Sequence, residues 1–296
     1  MLPFPTPLVV GFDGSHAAIG AAAAALDLAE RGGATVHLVT VIRHEEGSGE
    51  ARARRVLRDY TTALPSPRRR LVFEEYRAGD AAAEIAQLAS DLEAGLLIVG
   101  TSHRTGVARV LLGSTVERLL DYAPCPMLIV GAGPHAWPPD EVVIGDDATP
   151  EARVAGNLAV AIGALYGAAA TLLEAMPIDG DLGESAASWI GPVRELFEDR
   201  LEDRAEEMEH ACGVRPTVLL VDGPAAPALA GLVGGARGRR TLVAVGTGRR
   251  AGLAGVLHPS VALAVAHAAT GPVLISPVGA GGVGSAEEAV SARAQR

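Results

Sequence analysis

The chain contains no lysine: every basic side chain other than histidine is an arginine. Without a Gly-Lys-Ser/Thr sequence it has no Walker loop, which excludes a P-loop NTPase. Aromatic residues are 3% of the chain, so its cores must be built from Ala, Val and Leu. The two cysteines, Cys125 and Cys212, lie far apart in sequence and form no Cys-x-x-Cys pair. That excludes a disulfide framework and a cysteine metal knuckle, and it predicts a reducing cytoplasm. A net charge of −10 argues against non-specific nucleic-acid binding, which needs a basic surface. The first residues, MLPFPTPLVVGFDGS, lack a basic n-region and are rich in proline, so no signal peptide is expected.

Residues 154–173, VAGNLAVAIGALYGAAATLL, are uncharged and long enough to span a bilayer. They are mostly Ala and Gly, carry Asn157 and are punctuated by Gly163 and Gly167. A buried helix, a turn and a strand are expected there, and no membrane partner.

What the chain does have is a stretch that occurs twice. Residues 96–130 read LLIVGTSHRTGVARVLLGSTVERLLDYAPCPMLIV, and residues 242–276 read LVAVGTGRRAGLAGVLHPSVALAVAHAATGPVLIS. Each runs strand, Gly-Thr, basic residues, Ser at a helix start, helix, Pro and strand. Around these repeats, strands alternate with helices. The first half predicts strands at Leu8–Phe12, Thr35–Ile42, Leu71–Tyr76, Leu96–Val99 and Met127–Val130. Its helices are expected from Ser15 to about Glu30, over Glu50–Leu64, Ala81–Leu92 and Ser114–Tyr122. After the Pro- and Gly-rich linker Gly131–Asp140 the pattern restarts. Strands are expected at Val142–Gly145, Ala170–Ala175, Thr217–Val221, Leu242–Val245 and Val273–Ser276, and helices at Pro150–Leu165 and Pro192–His210. The fold class is therefore α/β, two tandem five-stranded parallel-sheet sandwiches, with domains at 1–134 and 135–277 and a flexible tail at 278–296.

The candidate site is the loop after the fourth strand. Gly100 ends that strand and lets backbone approach a ligand without a Cβ in the way. Gly106 offers a second permissive position. Gly113 and Ser114 open a helix whose first N–H groups favour an anion, and Arg104 can present a charged fork to phosphate. Ser114-Thr115-Val116-Glu117 also reads as a capping box, which needs no ligand. Asp13, at the end of the first strand, falls on the same sheet edge as Gly100. Its carboxylate can accept from a ribose hydroxyl or an adenine amine, or close an Asx turn with Gly14 and Ser15; both readings stand.

These residues resemble the universal stress proteins in their tandem-domain form, over about residues 7–276. The family signature is Gly, two residues, Gly, nine residues, Gly, then Ser or Thr. Gly100, Gly113 and Ser114 match it, Asp13 matches the strand-one Asp of a Val-Gly-x-Asp-Gly-Ser sequence, and YAPCPMLIV resembles the usual entry to the last strand. The resemblance implies an adenine-nucleotide α-hydrolase-like (Rossmann-like) fold that binds ATP, alone or with Mg²⁺, an expectation that the departures at Arg249 and Pro259 restrict to the first half. Adenosine would be held by Asp13 and by the backbone of Val41, and ribose and phosphates by the loop, with Thr115 beside Ser114. It also implies that the halves pair through Pro126–Val130 and Pro272–Ser276 as an intrachain pseudo-dimer.

Two departures matter. His103 stands at the second signature glycine, where its imidazole either obstructs phosphate or donates to it. In the second half only Gly246, Ser260 and Asp147 remain in register, with Arg249 and Pro259 at the other glycine positions; that half is expected to be structural. His258 reads as a surface residue, Cys125 as buried and Cys212 as more exposed, and the acids of Glu195–Glu209 as a solvated helix face. Asp146-Asp147 is a weak Mg²⁺ candidate, and no catalytic triad or metal cluster is evident. The expected function is a non-enzymatic, nucleotide-regulated stress protein. The alternative is a nucleotide-free scaffold acting through a protein partner. Association of two chains is left open.

Overall fold

Short runs of Val, Leu and Ile become strands buried on both faces, and Ala-rich segments become the helices that cover them. The computed structural model describes residues 4–42, 48–101, 112–131, 137–176, 184–233, 240–247, 261–269 and 271–277. The first half runs β1 (Leu8–Gly11), α1 (His16–Gly32), β2 (Val36–Ile42), α2 (Ser48–Ala63), α3 (Ser66–Arg69), β3 (Val72–Ala78), α4 (Ala81–Asp91), β4 (Leu96–Thr101), α5 (Ser114–Tyr122) and β5 (Met127–Gly131). The second repeats it as β6 (Glu141–Gly145), α6 (Pro150–Tyr166), β7 (Ala169–Met176), α7 (Glu184–Cys212), β8 (Thr217–Asp222), α8 (Ala225–Val233), β9 (Thr241–Gly246), α9 (Val261–Ala268) and β10 (Val273–Ser276).

The strand order is β3-β2-β1-β4-β5-β10-β9-β6-β7-β8, so each half has the same order and the halves join at β5 and β10. All pairs are parallel except that one, where Leu128 faces Leu274 in antiparallel register. The expected pairing through the last strands is thus present, and it makes one ten-stranded sheet. One side is covered by α2, α1, α6 and α7 over a continuous core that includes Leu57, Ala21, Ala155 and Leu201. The other side is covered by α4, α5, α9 and α8.

Helix ends follow their local chemistry. Ser15 caps α1 by accepting from the Ala18 N–H at 3.2 Å, and Gly33 closes it at φ 71°. Thr149 and Gly167 do the same for α6. Residues 154–173 are therefore a helix, a left-handed glycine cap and a strand, as expected. No helix among the described residues is long and apolar enough to cross a membrane.

Three expectations need correction. The short α3 was not anticipated from Ser66-Pro67, although Pro near a helix start is favourable. α7 begins at Glu184 and runs through Pro192 rather than starting there. Cys212 is buried, because the last turn of α7 packs onto α6 and its thiol lies 3.6 Å from the Asn157 carbonyl. The tail expected at 278–296 lies outside the described residues.

A polar cluster ties the two halves together. Asp27 Oδ2 on α1 accepts from the Tyr166 hydroxyl at 2.6 Å and from Trp137 Nε1 at 3.2 Å. The Arg31 guanidinium lies 4.7 Å from the centre of the Tyr166 ring.

Candidate functional site

The chain crosses from β1 to β2 on one side of the sheet and returns through β4 on the other. That reversal leaves a crevice at the carboxyl ends of β1 and β4, the usual ligand position in an open α/β sheet. β1 is short and ends at Gly11, while β2 continues to Ile42. The Phe12 N–H still donates to the Val39 carbonyl at 2.8 Å, and Gly79 donates to Ile42 from the other side. Strand groups alternate in direction, so both the N–H and the C=O of Val41 face the notch beyond the end of β1. An adenine edge needs this donor and acceptor pair.

Asp13 sits beside that notch and is exposed. Its Oδ1 accepts from the Ser15 N–H at 2.9 Å, which is the Asx turn, with Gly14 at φ 78°. Oδ2 makes no hydrogen bond to a described residue, so the turn and a ligand contact are compatible.

Gly100 lies inside the paired end of β4, which runs on to Thr101, and a glycine is required there for a packing reason. A Cβ there would lie 2.2 Å from the Ala17 carbonyl oxygen and 2.8 Å from the Ala18 nitrogen. The glycine lets the first turn of α1 rest against β4. Gly246 does the same for α6, 2.5 Å from the Ala152 nitrogen. This explains why the first signature glycine survives in both halves while other positions drift.

At α5 the capping-box reading fails. Gly113 is the N-cap, at φ −66° and ψ 152°, and Ser114 is already in the helix. No side chain caps this nine-residue helix, whereas Ser15, Asp80 and Thr149 cap α1, α4 and α6. Nothing lies within 4 Å of where a Gly113 Cβ would be. Ser114 is exposed, Thr115 is half-buried, and among the described residues no side chain accepts from the first N–H groups of α5. The structure thus brings Asp13, Val41, Gly100, Gly113, Ser114 and Thr115 to one sheet edge. His103, Arg104 and Gly106 lie outside the described residues.

One other acidic group on this edge, Asp80, is occupied. Asp80 caps α4 through the Ala83 N–H at 3.1 Å and pairs with Arg118 on α5 at 2.5 Å. The Arg118 contact, then the cap, hold its carboxyl below the usual range.

The second half has the same edge with different contents. Asp147 matches Asp13, but its Oδ1 accepts from both the Thr149 N–H at 3.1 Å and the Thr149 hydroxyl at 2.5 Å. Asp146 stands where Phe12 stood, and Ala148 takes the left-handed position of Gly14 at φ 61°. In the first half Phe12 packs on Tyr60 of α2, ring centres 4.9 Å apart. In the second, buried Asp146 faces buried Arg204 of α7 at 3.4 Å. Arg204 also donates to the Asn157 side chain at 2.7 Å and to Glu207 at 3.1 Å. This substitution of an ion pair for an aromatic pair was missed from sequence. Laying the two halves over each other, Tyr60 upon Arg204, would have exposed it.

The crevice there is a small open recess of ≈ 60 Å³, well below the usual size of a small-molecule pocket. Leu173, Ala175, Leu229 and Val245 line it, with Asp146 and Asp147 at its edge. Arg249, His258, Pro259 and Ser260 lie outside the described residues. Asp146 and Asp147 point to separate partners, Arg204 and Thr149, so they do not form a Mg²⁺ pair. No group of three or more His, Cys, Asp or Glu side chains suited to a metal occurs among the described residues. Cys125 is buried, and burial pushes its thiol up to about 12.

A family model described as the universal stress protein family matches residues 6–131 and again 139–277. A universal stress protein of Methanocaldococcus jannaschii is 30% identical over 136 residues, covering 42% of this chain and 80% of that protein. One from Mycobacterium tuberculosis is 28% identical over 189 residues, 62% of each chain. The crystal structure of a universal stress protein from Archaeoglobus fulgidus superposes with a TM-score of 0.62 at 16% identity, covering 91% of this chain and 97% of that one. A functionally unknown protein of Pseudomonas aeruginosa gives the same score at 18% identity, covering 93% and 92%.

Proposed function

The chain belongs to the universal stress protein family, and on that premise we propose that its first half binds an adenine nucleotide as a regulatory ligand in a stress response. The observation that carries the reading is the set of unused hydrogen-bonding groups at one crevice. The Val41 backbone faces the notch past β1, Asp13 keeps Oδ2 free of the turn, and the N-terminus of α5 has no side-chain cap. An adenosine fits the first two, and phosphates fit the third. Gly113, Ser114 and Thr115 would supply N–H groups, Ser114 a hydroxyl, and Arg104 a guanidinium. ATP is the nucleotide we favour, alone or with Mg²⁺.

We read the nucleotide as a ligand and not a substrate, because Asp80 is committed to a cap and to Arg118, and Asp13 is given to the turn and to adenosine rather than placed as a base. On this reading residues 1–134 are the binding half, 135–277 the structural half and 278–296 a tail, in a cytoplasmic protein. In the second half the Asp147 carboxylate is engaged twice by Thr149, which favours a structural role.

The test is to denature the purified chain and look for released ATP, ADP or AMP, then titrate the empty protein with Mg-ATP. Asp13→Ala should weaken binding by the worth of a charge-assisted hydrogen bond, about 1.5–3 kcal/mol, or roughly 10- to 100-fold. Asp147→Ala should leave it unchanged. Equal losses would place the working site in the wrong half. No released nucleotide and no heat of binding would favour the alternative, a nucleotide-free scaffold that acts through a protein partner.

A further inference from the structure

The helical layer α2-α1-α6-α7 carries opposite charge at its two ends. Residues 48–70, which span α2 and α3, hold seven arginines against Glu50 and Asp59, a net +5. α7 holds nine acids against three arginines, a net −6. The two regions occupy the same place in the repeat, since Leu57 of α2 and Leu201 of α7 are both buried in the core beneath the layer. They are helical faces of the same construction with the sign reversed.

Part of this charge is spent locally. Arg54 pairs with Glu50, Arg68 with Glu30, and Arg215 with Glu202. The rest is not. Arg52, Arg55, Arg69 and Arg70 are exposed and form no ion pair with a described residue, and the same holds for Glu195, Glu198, Asp199 and Asp203. The faces cannot neutralise each other within one chain. α2 lies over β2 and β3 and α7 over β7 and β8, about eight strand spacings apart, on the order of 38 Å. That is several Debye lengths at physiological salt, where one is ≈ 8 Å.

Both faces also expose apolar side chains among the charges. Leu196 is 66% and Val193 40% exposed on α7, and Val56 is 36% exposed on α2. A contact that matched the charges would cover these as well.

We propose that the basic α2–α3 face of one chain docks on the acidic α7 face of a second copy. The net charge of −10 makes copies repel in most orientations. The orientation that brings basic end to acidic end attracts, so charge selects both the partner and the register. The same overall charge disfavours a nucleic acid on the arginine face.

The experiment is sedimentation velocity on the full chain from about 10 to about 100 µM, at about 0.02 M and about 0.5 M salt, where the Debye length falls from ~20 to ~4 Å. Concentration-dependent association at low salt, weakened about tenfold or more at high salt, is expected. A variant with Arg52, Arg55, Arg69 and Arg70 changed to Glu should remain monomeric, as should one with Glu195, Glu198, Asp199 and Asp203 changed to Arg. An equimolar mixture of the two should associate again, because each then offers the face the other lacks. All eight positions are exposed, and circular dichroism checks that both variants fold. A parent chain monomeric at low salt, a single variant that associates as the parent does, or a mixture that stays monomeric overturns the proposal. So does retention of the parent on a polyanion column without self-association. The salt response of the unaltered chain tests the contact independently of any substitution.

Discussion

Gly100 and Gly113 belong to one motif and do different work. The space above Gly100 is filled by the backbone of α1, while that above Gly113 is empty. Gly100→Ala must push α1 away from β4, an overpacking strain of about 1–3 kcal/mol. It should lower the melting temperature with or without nucleotide. Gly113→Ala replaces an N-cap glycine at φ −66°, at a cost of roughly 0.5–1 kcal/mol. It should melt close to the parent, but lose much of the stabilisation that Mg-ATP confers. A thermal melt of both variants with and without nucleotide checks this; equal ligand shifts would mean that the phosphates do not reach α5. Sequence placed both glycines correctly and gave them one purpose, since a motif does not say which atoms stand opposite. The Asx turn at Asp13 was legible because its partner is two residues away. The Asp146–Arg204 pair was not, because its members are far apart in the chain and meet only when α7 packs on the sheet.

Most elements were legible from composition and periodicity, because the parallel strands are unbroken apolar runs and α1, α4 and α6 between them are capped by Ser, Asp or Thr. The start of α7 was not. Pro192 suits a first helical turn, but the helix extends through it to Glu184. Nor was the clasp between elements, where Trp137 from the linker and Tyr166 at the end of α6 meet Asp27 of α1. Burial, then the hydrogen bond to Asp27, push the Tyr166 phenol above its ordinary value. A pKa raised by folding contributes stability that is fully present below the unfolded value, about 10, and is lost as pH rises through the folded one. The parent should therefore be more stable than Tyr166→Phe at pH 7 to 9, and the gap should narrow in strongly alkaline solution. Denaturant titrations of both proteins across that range measure it; a gap that stays constant would mean the phenol does not titrate with unfolding.

At the scale of the molecule, the tandem repeat was legible as a repeat, and the resemblance to the family supplied the pairing of its halves. The physics of that pairing lies in β5 and β10. Every residue of both strands is buried, and their shared edge is the one antiparallel seam in the sheet. A strand with two apolar faces and a free edge is a template for another strand. A fragment of residues 1–134 would carry β5 as such an edge. It should self-associate by pairing β5 with β5, imitating with itself what β10 does in the full chain. Mixed with separately produced residues 135–277, it should exchange into a one-to-one complex, because the Leu128–Leu274 register and the Asp27–Tyr166 bond exist only between unlike halves. Light scattering on each fragment and on the mixture checks both steps. A monomeric first-half fragment would show that the seam contributes little, and that the halves are held together chiefly by α1 against α6 and by the linker clasp.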